Sequence, residues 1–158
     1  MHADFILFSA IGIGVVAGMR SLTAPAVVSW AACLGWLSLE GSPLAFMGWI
    51  VTVVVFTLLG LGELMADLLL SWIPRRTAPG PLAGRLLMGG LCGAGLCASA
   101  GQSLVIGALL GALGGLAGAF ASYEIRKRLV TGLNIRDIFV ALTEDVIAIG
   151  LACFFVAR

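Results

Sequence analysis

Six apolar stretches, about residues 3–20, 24–39, 46–73, 82–101, 104–125 and 138–157, take up nearly the whole chain, with only short polar breaks between them. A run of about 20 apolar residues is long enough to cross the hydrocarbon core of a bilayer as a helix. Lipid leaves a chain few other folds, because every backbone N–H and C=O must then be satisfied internally. The breaks carry turn chemistry: Glu40-Gly41-Ser42-Pro43, Pro74 to Pro81, Gly101-Gln102-Ser103 and Thr131 to Asp137. The pattern predicts an all-α polytopic membrane protein of about six transmembrane helices, forming a single transmembrane domain over residues 1–158. The first two segments are short, and as helices they just cross a core of about 30 Å with little tilt.

Composition agrees with this reading. Charged residues make up 11% of the chain and hydrophobic ones 61%, against about 25% charged in a soluble globular domain. Six spans leave no room for a soluble catalytic domain, and a net charge of +1 implies no nucleic-acid partner. The first twenty residues carry Asp4 but no Lys or Arg ahead of the apolar run, and no small-x-small cleavage site follows. They are expected to stay as a permanent first span and not to be removed as a signal peptide. Cys33, Cys92, Cys97 and Cys153 all lie in apolar segments, and His2 is the only histidine. The cysteines therefore read as small hydrophobes, with no Cys/His metal pattern and no implied cofactor.

The basic residues set an orientation. Arg20 follows the first segment, Arg75, Arg76 and Arg85 surround the third break, and Arg126, Lys127, Arg128 and Arg136 the fifth. Eight of the nine thus fall on one side, with Arg158 on the other. The positive-inside rule makes that side cytoplasmic and places both termini outside. Trp49 and Trp72 bracket the third segment, about 34 Å apart along a helix, which suits an aromatic belt.

Arg20-Ser21-Leu22-Thr23-Ala24-Pro25 recurs in shortened form as Arg76-Thr77-Ala78-Pro79, each copy just before an apolar segment. This fits either a duplicated two-helix unit with parallel copies or the ordinary use of Thr and Pro to start helices. The strings GMRSLTAPAVVSWAA, GELMAD, PRRTAPGPLAGR and ALTEDVIAIGLA together resemble an uncharacterised family of small bacterial membrane proteins, filed as domain of unknown function 4126. The resemblance runs from about Gly18 to the C-terminus. It implies a multi-pass protein of the bacterial inner membrane and carries no catalytic residues with it.

Span five holds Gly107, Gly111 and Gly115 with Gly114 and Gly118, and span four holds Gly89, Gly93, Cys97 and Gly101 at four-residue steps. Small residues at this spacing let helices approach closely, so these two spans are expected to pack on each other or across a homo-oligomer axis.

Against this apolar background six ionisable residues stand out: Arg20, Glu63, Asp67, Arg85, Glu144 and Asp145. Charge inside a span is costly and reads by default as functional. Counting inward along ideal helices puts Glu63 roughly 13 Å and Asp67 roughly 8 Å from Trp72, and Glu144 and Asp145 about 10–12 Å from Asp137. Arg20 and Arg85, about 5 Å deep, are the expected counter-ions. Four carboxylates against two guanidiniums leave some carboxylates to be protonated or to meet a cation, with Ser21 and Thr143 as neutral helpers. The sequence therefore points to a transporter or channel for a cation, proton or small solute, bound at Glu63, Asp67, Glu144 and Asp145. The competing readings are a wet vestibule around these residues, or a non-transporting scaffold in which ion pairs fix the helices and basic loops hold lipid or a partner protein. With no histidine to activate Ser21, Ser29 or Tyr123, an enzyme is not expected.

Overall fold

Every apolar run carries a helix over part or all of its length. The computed structural model describes residues 3–69, 79–132 and 137–157. These form α1 (Ala3–Met19), α2 (Thr23–Cys33), α3 (Ile50–Leu69), α4 (Pro79–Ser99), α5 (Leu104–Gly132) and α6 (Asp137–Val156). A short 3-10 turn, Ala45–Gly48, leads into α3, and no strand occurs among the described residues. The protein is all-α. Among the described residues two helices, Gly80–Ser99 and Leu104–Leu129, are long and apolar enough to cross a membrane by length and composition. Trp72, Arg75, Arg76, Arg136, Arg158 and most of the second Thr-Ala-Pro string lie outside the described residues, as does the side chain of Asp67.

The second segment departs from the sequence expectation. Its apolar run continues to Leu39, yet α2 stops at Cys33 after 11 residues, about 16 Å of helix. The reason is local. Gly35 adopts a left-handed φ of +78°, and the Trp36 N–H reaches back to the Ala31 carbonyl at 2.8 Å while that of Gly35 reaches Ala32 at 3.2 Å. Those two bonds are a Schellman cap, which satisfies the last carbonyls and turns the chain away. Gly101, with φ +68°, ends α4 in the same way through Gln102 N–H to Cys97 and Gly101 N–H to Ala98. The helix after the first Thr-Ala-Pro string is thus about half as long as the 21-residue helix that opens at the second.

Glycines set the packing. α1, α4 and α5 each touch the other two, and along α5 backbone meets backbone in both contacts. A Cβ on Gly111 would stand 2.1 Å from the Gly89 carbonyl oxygen, and one on Gly93 would stand 2.3 Å from that of Gly107. Toward α1, Gly14 is packed against Gly111, Gly18 against Gly115, and Gly118 against Val15. The α4–α5 contact is expected from spacing, but the use by α1 of Gly111 and Gly115, which also face α4, is not. α2, α6 and the 3-10 turn close the core around Ile13, Val16, Val28, Met47, Cys92 and Ala148. The outward sides of α3, α5 and α6 remain apolar, with Val51, Leu58, Leu109, Leu113 and Val146 each more than 60% exposed.

Candidate functional site

The buried charge gathers at the α1–α2 turn. α1 closes with the Arg20 N–H bonded to the Val16 carbonyl, and α2 then begins behind Leu22, a residue with no side-chain group able to cap it. Helix starts leave N–H groups without partners inside the helix. Pro25, in the first turn of α2, removes one such donor because it has no N–H. The carboxylate of Glu63, from α3, supplies the cap from outside. Its Oε1 accepts from the Ser21 N–H at 3.2 Å and the Ser21 hydroxyl at 2.7 Å, and its Oε2 accepts from the Leu22 N–H at 3.0 Å. A negative group at a helix N-terminus also gains from the helix dipole. Further along the same helix pair, Trp30 Nε1–H donates to Thr57 Oγ1 at 3.1 Å.

The adjacent residue is held by the opposite neighbour. Arg20, 2% exposed, forms an ion pair through Nε with Asp145 Oδ1 of α6. Glu144, also buried, lies 3.8 Å from Arg126 of α5. Arg126 had been assigned by its sequence position to an ordinary cytoplasmic flank together with Lys127 and Arg128. The long arginine stem lets its head reach back to a carboxylate on the next helix, whereas Arg128 makes the surface pair with Glu124 at 2.9 Å. Arg85 is buried in α4, and its carbonyl lies against Gly115.

The structure therefore brings together Ser21 with Glu63 and Arg20 with Asp145. It does not bring in Thr143, which is exposed and donates to the Phe139 carbonyl of its own helix at 2.8 Å. A hydroxyl two residues from Asp145 points elsewhere because residues i and i+2 do not share a helix face. Sequence reasoning also missed that the donors to Glu63 are mainly backbone amides, which no count of side-chain charges includes. Among the described residues no group of three or more His, Cys, Asp and Glu is placed to hold a metal ion.

A second feature lies at the opposite end of the same helices. A cavity of about 560 Å³ opens there, lined by Phe5 and Ser9 of α1, Trp36 and Ser38 after α2, Ser99 of α4 and Phe155 of α6, among others. Phe155 is fixed by edge-on contacts with Phe8 and Phe154, at centroid distances of 6.0 and 5.5 Å. Its ring also fills the space beside Gly12. Nothing in the sequence marks this site, since serines and aromatics at these positions look like ordinary helix-end residues.

The fold and these two sites define a class: a small all-α protein with a buried charge cluster at one end and a cavity at the other. Comparisons with family models, curated proteins and solved structures give no match to the chain.

Proposed function

We propose that this is a multi-pass membrane carrier for a small solute, closed at its charged end and open at its cavity end in the form described. The apolar outer faces of α3, α5 and α6 support placement in lipid, since a contiguous exposed apolar surface of this extent marks a membrane or a partner interface. The positive-inside rule then puts the charged end at the cytoplasm and the cavity outside. One observation carries the reading: α1 and α6 each contribute to both ends. α1 bears Ser9 at the cavity and leads into Arg20, and α6 bears Phe155 at the cavity and Asp145 at the ion pair. A change in the charge cluster is thereby coupled to the cavity along rigid helices. In this reading Asp145, Glu144 and Glu63 form the inner closure, and protonation or an incoming ion loosens it.

Side-specific labelling tests the proposal. Ser9→Cys is introduced in protein whose exposed cysteines, Cys33 and Cys153, are replaced by alanine, and is treated with a membrane-impermeant thiol reagent in proteoliposomes. A carrier exchanges between two forms, so loosening the inner closure with Asp145→Asn or Glu63→Gln is expected to shift the population inward and slow labelling from the cavity side. Unchanged labelling in every variant would reject the carrier.

A non-transporting scaffold is favoured by a different observation: Glu63, Asp145 and Glu144 are each already met by donors or cations of the chain itself. Under that reading the same substitutions lower stability and leave Ser9→Cys labelling unchanged.

A further inference from the structure

The cavity has a chemical preference that follows from its wall. Ser9, 2% exposed, donates its hydroxyl proton to the Phe5 carbonyl at 2.9 Å, and Ser99 donates its own to the Leu96 carbonyl at 2.8 Å. Both oxygens keep lone pairs as acceptors, while the Ser38 hydroxyl and the Trp36 indole N–H, also in the wall, can donate. Phe5, Trp36 and Phe155 add aromatic surface, and none of the lining residues is charged.

Helix ends shape the longer-range field. Ser99 and Ala100 at the end of α4, and Val156 and Ala157 at the end of α6, form part of the wall. The cavity is thus built on two helix C-termini, each equivalent to a partial negative charge. α1 enters the same end by its N-terminus, but Asp4 sits in its first turn and offsets that positive pole. The charged residues described at this end are Asp4 and Glu40, both exposed. The described basic residues, Arg20, Arg85, Arg126, Lys127 and Arg128, belong to the other end. An uncharged, aromatic pocket built on two helix C-termini suits a positively charged ligand with an apolar body, since cations are attracted to ring faces and to helix C-termini alike.

We infer that this cavity binds a small organic ammonium ion, held by Trp36 and its neighbouring rings with Ser9 and Ser99 as acceptors. In naming that ion as cargo, the inference rests on the carrier reading. Binding itself is tested without transport.

Three probes of nearly equal shape separate charge from size: choline, its neutral carbon isostere 3,3-dimethylbutan-1-ol, and the anion 3,3-dimethylbutanoate. Their affinities for the detergent-purified full chain are measured by calorimetry. Choline is expected to bind roughly tenfold more tightly than the alcohol, the range that cation–π contacts in a partly desolvated site give, and the anion more weakly than either. Trp36→Leu is expected to abolish the preference, while Trp49→Leu, at an exposed tryptophan outside the cavity wall, leaves it intact. Equal or tighter binding of the alcohol or the anion, no binding of choline, or a preference that survives Trp36→Leu would each overturn the assignment. Choline binding with unchanged Ser9→Cys labelling would uphold the site and reject the carrier. Altered labelling without choline binding would do the reverse.

Discussion

Glu63 caps a helix to which it does not belong: its Oε2 accepts a 3.0 Å hydrogen bond from the N–H of Leu22, forty-one residues earlier in the chain. The neighbouring Arg20 is held by Asp145 from α6. Three consecutive residues, Arg20, Ser21 and Leu22, are therefore clasped by carboxylates from two other helices.

Removing the charge from this cap has a defined cost. Glu63→Gln keeps the shape but replaces charge-assisted acceptance with a neutral amide, and hydrogen bonds to charged groups contribute about 1.5–3 kcal/mol. The expected outcome is a lower melting temperature in detergent, with faster amide exchange at Ser21 and Leu22 before the rest of the molecule. Glu63→Asp, one methylene too short to span the two N–H groups, is expected to recover little.

The Arg20–Asp145 pair is buried, so losing one partner is worse than losing both. Asp145→Asn takes a charged partner from a buried guanidinium, and breaking a buried pair costs about 3–5 kcal/mol. Arg20→Met combined with Asp145→Leu is expected to restore part of that loss. A double-mutant cycle read by thermal melting measures the coupling, and strict additivity would show that the two side chains act independently.

Glycine substitutions separate into two groups. Gly111→Ala drives a methyl group against the Gly89 carbonyl oxygen at 2.1 Å, and overpacking of this kind costs about 1–3 kcal/mol. Gly150, in α6, has nothing within 4 Å of a built Cβ, so Gly150→Ala is expected to gain about 0.5–1 kcal/mol from helix propensity. Melting curves of the two variants should move in opposite directions.

At the end of α2 the constraint is backbone conformation without crowding. Gly35 has open space around it but a φ of +78°, and a side chain there costs about 1–2 kcal/mol. Gly35→Ala should destabilise the α2 C-terminus, and Gly35→Asn, which tolerates the left-handed region, should do so less. Equal losses in the two variants would show that sterics, not φ, govern the site.

The helices and the gathering of charge at one end were legible because both depend on quantities a sequence displays directly: the length of apolar runs and the alternation of Lys and Arg between them. The stop at Cys33 was hidden by Leu34, Trp36, Leu37 and Leu39, which continue the apolar run after the backbone has turned at Gly35. The α1 face of α5 was hidden because Gly14 and Gly18 look, in a hydrophobic stretch, like mere spacing. Glu63 and Ser21 are both visible in the sequence as site residues and do meet, but two of the three donors to Glu63 are main-chain N–H groups, and these have no sequence signal. Thr143 was placed with the acidic residues by adjacency in sequence, whereas helix geometry turns it outward.

The glycine contacts of α5 with both α1 and α4 stiffen this part of the molecule. Where main chain rests directly on main chain there are no rotamers to change, so α1, α4 and α5, each touching the other two, form one rigid three-helix unit. α2 packs on that unit through Ala24, Val28 and Ala31, and the short stretch Arg20 to Leu22 adds polar ties to α3 and α6. That stretch is a knot of four helices: the chain itself links α1 to α2, Glu63 ties in α3, and Asp145 ties in α6.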